Sequence, residues 1–549
     1  MSEPGVWVAA TTEQILAAEV PVLARLGDDP LMDRAADAVA DAARTILADR
    51  GDDAESGSID GAHVVVLAGT GKNGGDALLA GARLARDGAK VTAVLTGATG
   101  HERGLATLRA AGGAVLGADD AGTAAAIGAA DLVIDGIVGL GASAGLREQA
   151  ATLVEGIRGR TPVVSVDLPS GLDPDSATLD APHVHATVTV TFTAPKLCLL
   201  LPPAALVVGR IVVADVGIPV PETTPDAPRR LTPEGAAALW PVPGPGDDKY
   251  TRGIVGIVAG SDRYPGAAVL ACSAAVRAGA GLVRYLGPRR VQDLVLAARP
   301  EVVAADPFGE TGGETGGETG GETGGETGGE TGAAFPGATL PRADAWVIGP
   351  GVGDEPDQAA AIAAVLASGV PVVVDAGAIE ACVVARAAGA RPVAADRVLL
   401  TPHAGELARA LAAIGLAPTA KDAALAIASD PAGQARALAH AADATVLLKG
   451  AVTLVATPDG RLWSQADSPA WLATAGAGDV LAGVAGMLLA SGLDADRAGA
   501  LAALIHGRAA TLASGGGPLA ALDVAEALPA SVEALGAAIA GLPGLPSGL

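Results

Sequence analysis

The sequence predicts two doubly wound α/β domains in tandem. Three observations carry that expectation. Short Val/Ile/Leu runs alternate with helical stretches, as strands buried under crossover helices do. The alternation stops at a Pro-rich stretch and then restarts. Several runs end in Gly-rich loops, at the strand ends where such sheets hold ligands. The chain has 549 residues, enough for roughly two to four domains.

Composition narrows the function classes. Lys and Arg total 36 against 61 Asp and Glu, a formal charge of −25. So acidic a chain is not expected to bind nucleic acid or an anionic membrane. Half of the residues are hydrophobic and only five Trp, three Tyr and three Phe occur, so the core is aliphatic. Cys198, Cys272 and Cys382 have no paired spacing, which argues against a disulfide framework or a cysteine zinc site. No signal peptide is visible at Met1–Gly5. The uncharged stretch from Gln358 to Val374 is interrupted by Gly369 and Pro371, so a helix and a strand are expected there, not a membrane span. A cytoplasmic protein is expected.

The first domain, residues 1–225, opens with a helical pattern from about Thr11 to Leu47, where Ile15, Leu16, Val22, Leu23, Leu31, Met32 and Val39 recur three and four apart. A linker, Asp49–Asp60, follows. His63–Leu67 reads as a buried strand ending in the Gly-rich run Gly69–Asp76, with a helix from Ala77 to Arg86. Val91–Leu95, Asp131–Asp135 and Val163–Asp167 are further strands, with a helix ending near Arg158. The Pro-rich stretch from Pro219 to Pro233 is a semi-rigid linker. The second domain, 226–549, restarts at Gly253–Gly260 and continues with strands at Ala345–Ile348, Val370–Val374, Val398–Leu400 and Thr445–Leu448. Between Gly309 and Gly332 the tetrapeptide Gly-Glu-Thr-Gly occurs six times. It offers no apolar side chain to bury and predicts a disordered surface loop.

Gly69-Thr70-Gly71-Lys72-Asn73-Gly74-Gly75-Asp76 lies between strand and helix, where backbone N–H groups favour anions. It is not a Walker loop: Val66 stands where the first Gly is needed, and Asn73 follows Lys72. Two more loops leave strand ends, one from Asp135 to Gly141 and one from Asp167 through Ser170 to Asp173. Asn73, Asp135 and Ser170 could form an all-oxygen nest for a hard cation, leaving Asp167 as a general acid or base or as a cap for the next turn.

These loops, in this order, resemble the NAD(P)HX epimerase family, over about residues 10–220. The resemblance implies a Rossmann-like domain in which Lys72, Asn73, Gly74, Gly75 and Asp76, with Gly139, Leu140, Gly141, Ala142, Ser143, Ala144 and Gly145, hold a hydrated nicotinamide dinucleotide. It implies a potassium ion on Asn73, Asp135 and Ser170, and proton handling or substrate binding by Asp167. Lys72 departs from the family's usual second Asn, and Ala77 from its common Gly.

In the second domain, Tyr264–Ala268 opens a small-residue helix, and Gly349–Gly353 and Leu400–Glu406 follow strands. His403, in the last of these, is a structural residue or a ligand contact. Ala473–Gly483 carries the strongest signal. Small residues leading into a helix expose N–H groups to a transferring phosphoryl, and Asp479 in the first turn could accept a hydroxyl proton. Lys449 would neutralise phosphates. This set resembles the ribokinase-like superfamily and, within it, the ADP/ATP-dependent NAD(P)HX dehydratases, over about residues 240–525. Carried over, Ala267, Gly351, His403 and Asp479 would contact the hydrated substrate, and Lys449, Gly450, Ala451, Val452, Thr453 and Gly478 the nucleotide. The family's Gly-Gly-Thr-Gly-Asp is here Ala475-Gly476-Ala477-Gly478-Asp479, closer to sugar kinases. The resemblance thus implies a bifunctional epimerase and dehydratase using ADP or ATP, with potassium and Mg2+, as a homo-oligomer with small-molecule partners. The alternative is a small-molecule kinase, for a hydroxymethylpyrimidine or a sugar, with a nucleotide-binding regulatory module.

Overall fold

The computed structural model describes residues 3–48, 58–141, 144–305, 340–353 and 355–540. The Gly309–Gly332 repeat, Ala142 and Ser143, and residues 49–57 of the linker lie outside them. The chain divides into two compact units, one from Met1–Arg230 with Ala428–Pro431 and one from Leu231–Ile427 with Ala432–Leu549.

The first unit is built on a seven-stranded, wholly parallel sheet. Its strands are β1 (His63–Ala68), β2 (Lys90–Leu95), β3 (Ala114–Gly117), β4 (Leu132–Gly136), β5 (Val163–Val166), β6 (Val188–Phe192) and β7 (Arg210–Ala214), in the order β3-β2-β1-β4-β5-β6-β7. The order reverses between β1 and β4, so loops from those two strand ends diverge and leave a crevice. The β1, β4 and β5 side chains are buried from Val64 to Ala68, Leu132 to Gly136 and Val163 to Val166. This explains why they read as continuous apolar runs.

Two corrections concern helices. The pattern from Thr11 to Leu47 is two helices, α1 (Thr12–Leu26) and α2 (Asp29–Ala48). Gly27, at φ 74°, breaks them. Pro30 stands at the start of α2, where its missing N–H costs nothing. The helix expected from Ala77 begins at Lys72, as α3 (Lys72–Arg86). Gly74 and Gly75 are poor helix formers, by about 1 kcal/mol each relative to Ala. Close packing explains them: a Cβ on Gly74 would strike the Gly69 carbonyl, and one on Gly75 would strike Met32 and His101. Asn73 and Asp76 therefore stand in the first helical turns, not in a loop.

In the second unit the strands are β8 (Ile254–Val258), β9 (Leu282–Leu286), β10 (Val303–Ala305), β11 (Ala345–Ile348), β12 (Val372–Val374), β13 (Val398–Leu400), β14 (Thr445–Leu448), β15 (Thr453–Ala456) and β16 (Leu462–Gln465). They run in the order β16-β15-β14-β13-β12-β11-β8-β9-β10. The strands from β10 to β14 are parallel, and β15 and β16 fold back antiparallel. The helices that matter below are α4 (Pro265–Ala278), α5 (Ala404–Ala413), α6 (Ala477–Ala490) and α7 (Ala495–Ser514). Among the described residues, no helix is long and apolar enough to cross a membrane.

Two candidate active sites

The first unit holds a cavity of about 460 Å³ at the ends of β1, β4 and β5, within the range of small-molecule sites. Its lining combines apolar side chains, from Leu16, Leu23, Leu31, Met32, Phe192 and Ile218, with the polar Glu19, Lys72, Asn73, Asp76, Asp167 and Lys196. Asp167 directly follows β5 and is 3% exposed, with φ 69°. It is ion-paired with Lys196, which is 1% exposed. Lys196 Nζ also donates to Thr191 Oγ1 at 2.9 Å and to the Phe192 carbonyl at 3.2 Å. Thr193, next along, also has φ 69°. A non-glycine residue held there stores strain that the surrounding structure must overcome, a feature concentrated at functional sites.

Asp135 is fully buried and accepts from Ser165 Oγ at 2.8 Å, Ser170 Oγ at 2.6 Å and the Ser170 N–H at 2.9 Å. Burial pushes its carboxyl up, against those hydrogen bonds. Asn73 Nδ2 donates to the Val138 and Val166 carbonyls at 3.1 and 2.7 Å. Ser170 Oγ also reaches the Val138 carbonyl, at 3.3 Å. Asn73, Asp135 and Ser170 are thus brought together, and the knot ties three strand-end loops.

The other expected contacts divide. Lys72, Asn73, Asp76, Gly139, Leu140 and Gly141 line the cavity. Lys72 is exposed and pairs with Asp28 at 2.5 Å. Gly74 and Gly75 are buried in helix packing, and the Gly75 N–H is committed to the Gly71 carbonyl. Ala144 and Gly145 are not among the lining residues; the Gly145 N–H donates to Gly171 at 2.8 Å. Ala142 and Ser143 lie outside the described residues. Asp167, expected as a general acid or base or as a cap for the next turn, does not stand alone: Lys196 holds it, and Glu19 and Asp76 share its cavity. Lys196 sits in no motif; the one signal for it was a lysine in an apolar run directly after a buried strand.

In the second unit the expected residues gather at the ends of β8, β11, β12, β13 and β14. Asp479 lies in the first turn of α6, behind Gly476, which takes the left-handed conformation at φ 86°. Lys449 follows β14, and its ammonium pairs with Asp375 at 2.7 Å and approaches Glu406 at 3.7 Å. Thr401 Oγ1 donates to the same Asp375 oxygen at 2.8 Å. Burial opposes the lysine's charge, but Asp375, Glu406 and Asp479 outweigh it and hold the ammonium above the usual lysine range. Asp479 is pushed up to about 7 by burial, reinforced by Asp375 and opposed by Lys449. Gly478 stands against the ammonium: a Cβ there would lie 3.2 Å from Lys449 Nζ.

His403 bridges to Lys449 through the backbone. Its Nδ1 accepts from the Gly405 N–H at 3.0 Å, capping α5, while Glu406 Oε2 accepts from the His403 N–H at 2.8 Å. Its ring is half exposed. Gly351, at φ 60°, lies against Ala267: a Cβ there would come within 2.5 Å of the Ala267 side chain. Gly450 and Ala451 form the tight turn into β15. Val452 is buried, and Thr453 is turned inward to the Gly450 carbonyl at 3.3 Å. Asp375 stands in the loop Val374–Ala378, which the sequence marks as a strand end without giving Asp375 itself a role. Ala376 beside it has φ 43°, so strained backbone marks this site also.

Two family models match: one described as NAD(P)H-hydrate dehydratase, over residues 255–528, and one as YjeF-related protein N-terminus, over 28–198. The bifunctional NAD(P)H-hydrate repair enzyme Nnr of Mycobacterium tuberculosis is 39% identical over 496 residues, covering 89% of this chain and 90% of the relative. The chain belongs to the bifunctional NAD(P)H-hydrate repair family. Its Mycobacterium leprae relative of the same description is 39% identical over 504 residues, covering 90% and 92%. A solved ADP/ATP-dependent NAD(P)H-hydrate dehydratase from Bacillus subtilis, co-crystallised with ATP and Mg2+, is 26% identical with a TM-score of 0.43, covering 56% of this chain and 98% of that one. Family membership makes this chain an enzyme that repairs hydrated NAD(P)H, by epimerisation and dehydration.

Proposed function

We propose that the cavity of the first unit epimerises the C6 hydroxyl of hydrated NADH or NADPH, and that the second unit dehydrates the S form using ADP or ATP. The observation that carries this reading is a shared one. Each unit sets an aspartate at a strand end or helix start near a lysine drawn in from solvent, Asp167 with the buried Lys196 and Asp479 with the partly buried Lys449.

Hydroxide is a poor leaving group. In the second unit Lys449 and the N–H groups at Gly476–Gly478 hold the nucleotide phosphates, and Asp479 takes the C6 hydroxyl proton as that oxygen attacks the terminal phosphoryl. The ring nitrogen lone pair then expels phosphate, and loss of a ring proton restores the C5–C6 double bond. Ala267, Gly351 and His403 border the space for the nicotinamide, and small residues there let a planar ring approach the backbone.

In the first unit, Lys72 and the Gly139–Gly141 turn take the dinucleotide at the cavity mouth. In this reading a potassium ion would be held by the Asp135 carboxylate, Ser170 Oγ and the Asn73 side-chain oxygen, with the Asn73 amide turned from the Val138 and Val166 carbonyls to which its Nδ2 donates, and would add positive charge beside these loops. Among the described residues no group of three His, Cys, Asp or Glu could hold a metal, so Mg2+ enters this reading with the nucleotide phosphates. Three free, buried cysteines suit a reducing cytoplasm. A homo-oligomer belongs to the same proposal, and light scattering decides it.

The test supplies mixed R and S hydrates of NADH with ADP. The wild-type chain should restore the dihydronicotinamide absorbance of the whole pool. Asp167→Asn should restore the S fraction at the wild-type rate and leave the R fraction to its spontaneous rate. Consumption of R by this variant at the wild-type rate would remove Asp167 from the assignment.

A further inference from the structure

We propose that Asp76 is the second proton-handling group of the first cavity, protonating the ring nitrogen of the hydrate while Asp167 takes its hydroxyl proton. This deepens the epimerase reading and rests on it.

The argument begins with an anomaly of placement. Asp76 is 6% exposed, stands in the first turns of α3 and lines the cavity. Among the described residues no hydrogen bond reaches its buried Oδ1. A buried carboxylate oxygen without a donor is among the least tolerated groups in a protein interior, and a proton or a ligand relieves it. The charged groups around it explain why no protein donor does so. Lys72, at the start of its own helix, is turned to Asp28. Arg83, further along α3, is held by Asp33 and Asp37. Lys196 is committed to Asp167. Glu19 on α1 and Asp167 bring like charge, and His101, packed on Gly75, donates nothing to Asp76. Burial first, and then repulsion from Asp167, push the Asp76 carboxyl well above its usual range. Two carboxyls in one cavity thus differ: one is held by an ammonium, while burial and like charge favour the protonated form of the other. That division assigns base and acid.

Epimerisation of a C6 hydrate needs such a pair. The substrate is a hemiaminal, with hydroxyl and ring nitrogen on the same carbon. The hydroxyl proton passes to the Asp167 carboxylate, the O–H pair becomes the C6=O bond, and the C6–N1 bond breaks with its electrons left on N1. Asp76 supplies the proton that N1 then binds. Rotation about C5–C6 presents the other face of the aldehyde. Closure runs the steps backwards: N1 attacks C6, its proton returns to Asp76, and the new hydroxyl takes the proton from Asp167. No proton, oxygen or electron is gained or lost over the cycle.

The test follows R-to-S conversion of hydrated NADH by the full chain without ADP. Asp76→Asn should lower kcat by about 10²–10⁴-fold, the usual contribution of a positioned acid, with KM changed less than fivefold, ~1 kcal/mol of binding. Asp76→Glu should restore part of kcat. A raised KM with wild-type kcat in Asp76→Asn would overturn the proposal and make Asp76 a binding residue. Single-turnover epimerisation by the wild type in water enriched in heavy oxygen adds a readout independent of variant folding. Retained hydroxyl oxygen supports ring opening, and solvent oxygen in every product molecule overturns it. A wild-type chain that does not speed R-to-S conversion would overturn the epimerase reading itself, which separates the two failures.

Discussion

Each unit sets a lysine near the carboxylate proposed to do its chemistry, and the two differ in which acid holds that lysine. In the first, Lys196 is bound by Asp167 itself, and both side chains are almost wholly buried. In the second, Lys449 is bound by Asp375, with Glu406 nearby, and Asp479 feels it only at a distance. Direct pairing with an ammonium fixes where the Asp167 carboxylate stands in its cavity. Asp479, left to burial and like-charge repulsion, titrates near neutrality, where a general base works best. The same two residue types therefore yield different proton chemistry, decided by one extra acid.

The comparison can be broken most directly at Asp479. Asp479→Asn keeps the volume and the helical turn but cannot accept a proton. Dehydration of the S hydrate at saturating ADP should fall about 10²–10⁴-fold, or ~3–5 kcal/mol of barrier, with R-to-S epimerisation unchanged. A rate within threefold of wild type would exclude Asp479 as the base.

The lysines give the next effect. Lys196→Met leaves Asp167 buried and unpaired, a change that costs about 3–5 kcal/mol in such pairs. Lys449→Met should cost less, because that side chain is 19% exposed against 1% for Lys196. Urea denaturation of both variants checks the order, and a Lys449 variant that proves the less stable would undo the contrast.

The smallest effect sharpens the comparison through pH. Asp479 must be ionised to act, and its carboxyl titrates at about 7. Dehydration should therefore rise as pH increases through 7 and level off above it. Removing the Lys449 ammonium takes away the charge that favours ionisation, so the rise should move to higher pH in Lys449→Met. A profile flat from acid to neutral pH would argue against the shifted carboxyl.

Much of this arrangement could be read from the chain alone because its strands are short and buried on both faces: Val64–Leu67, Val163–Val166 and Thr445–Leu448 announce themselves as apolar runs. What stayed hidden follows from longer-range packing. The start of α3 at Lys72 was obscured because two glycines contradict local propensity, and only their contacts with Gly69, Met32 and His101 justify them. Lys196 and Asp375 carry no motif; each acquires its meaning when the sheet sets it beside a partner far away in sequence, Asp167 and Lys449 respectively. The hairpin of β15 and β16 was missed because its strands are four residues each and follow the Lys449 loop, which drew attention as a phosphate contact.

The left-handed backbone of Asp167 has a consequence for anyone wishing to silence one activity and keep the other. At φ 69° only glycine rests without strain, and aspartate and asparagine are the side chains that tolerate the position best. Alanine or valine would remove the carboxylate and also load the turn between β5 and the Ser170 loop, where Asp135 and Asn73 are tied, so a lost activity could not be separated from a disturbed scaffold. The position thus offers a narrow alphabet: one letter that works, and two, Asn and Gly, that spare the backbone while leaving the buried Lys196 ammonium without its carboxylate.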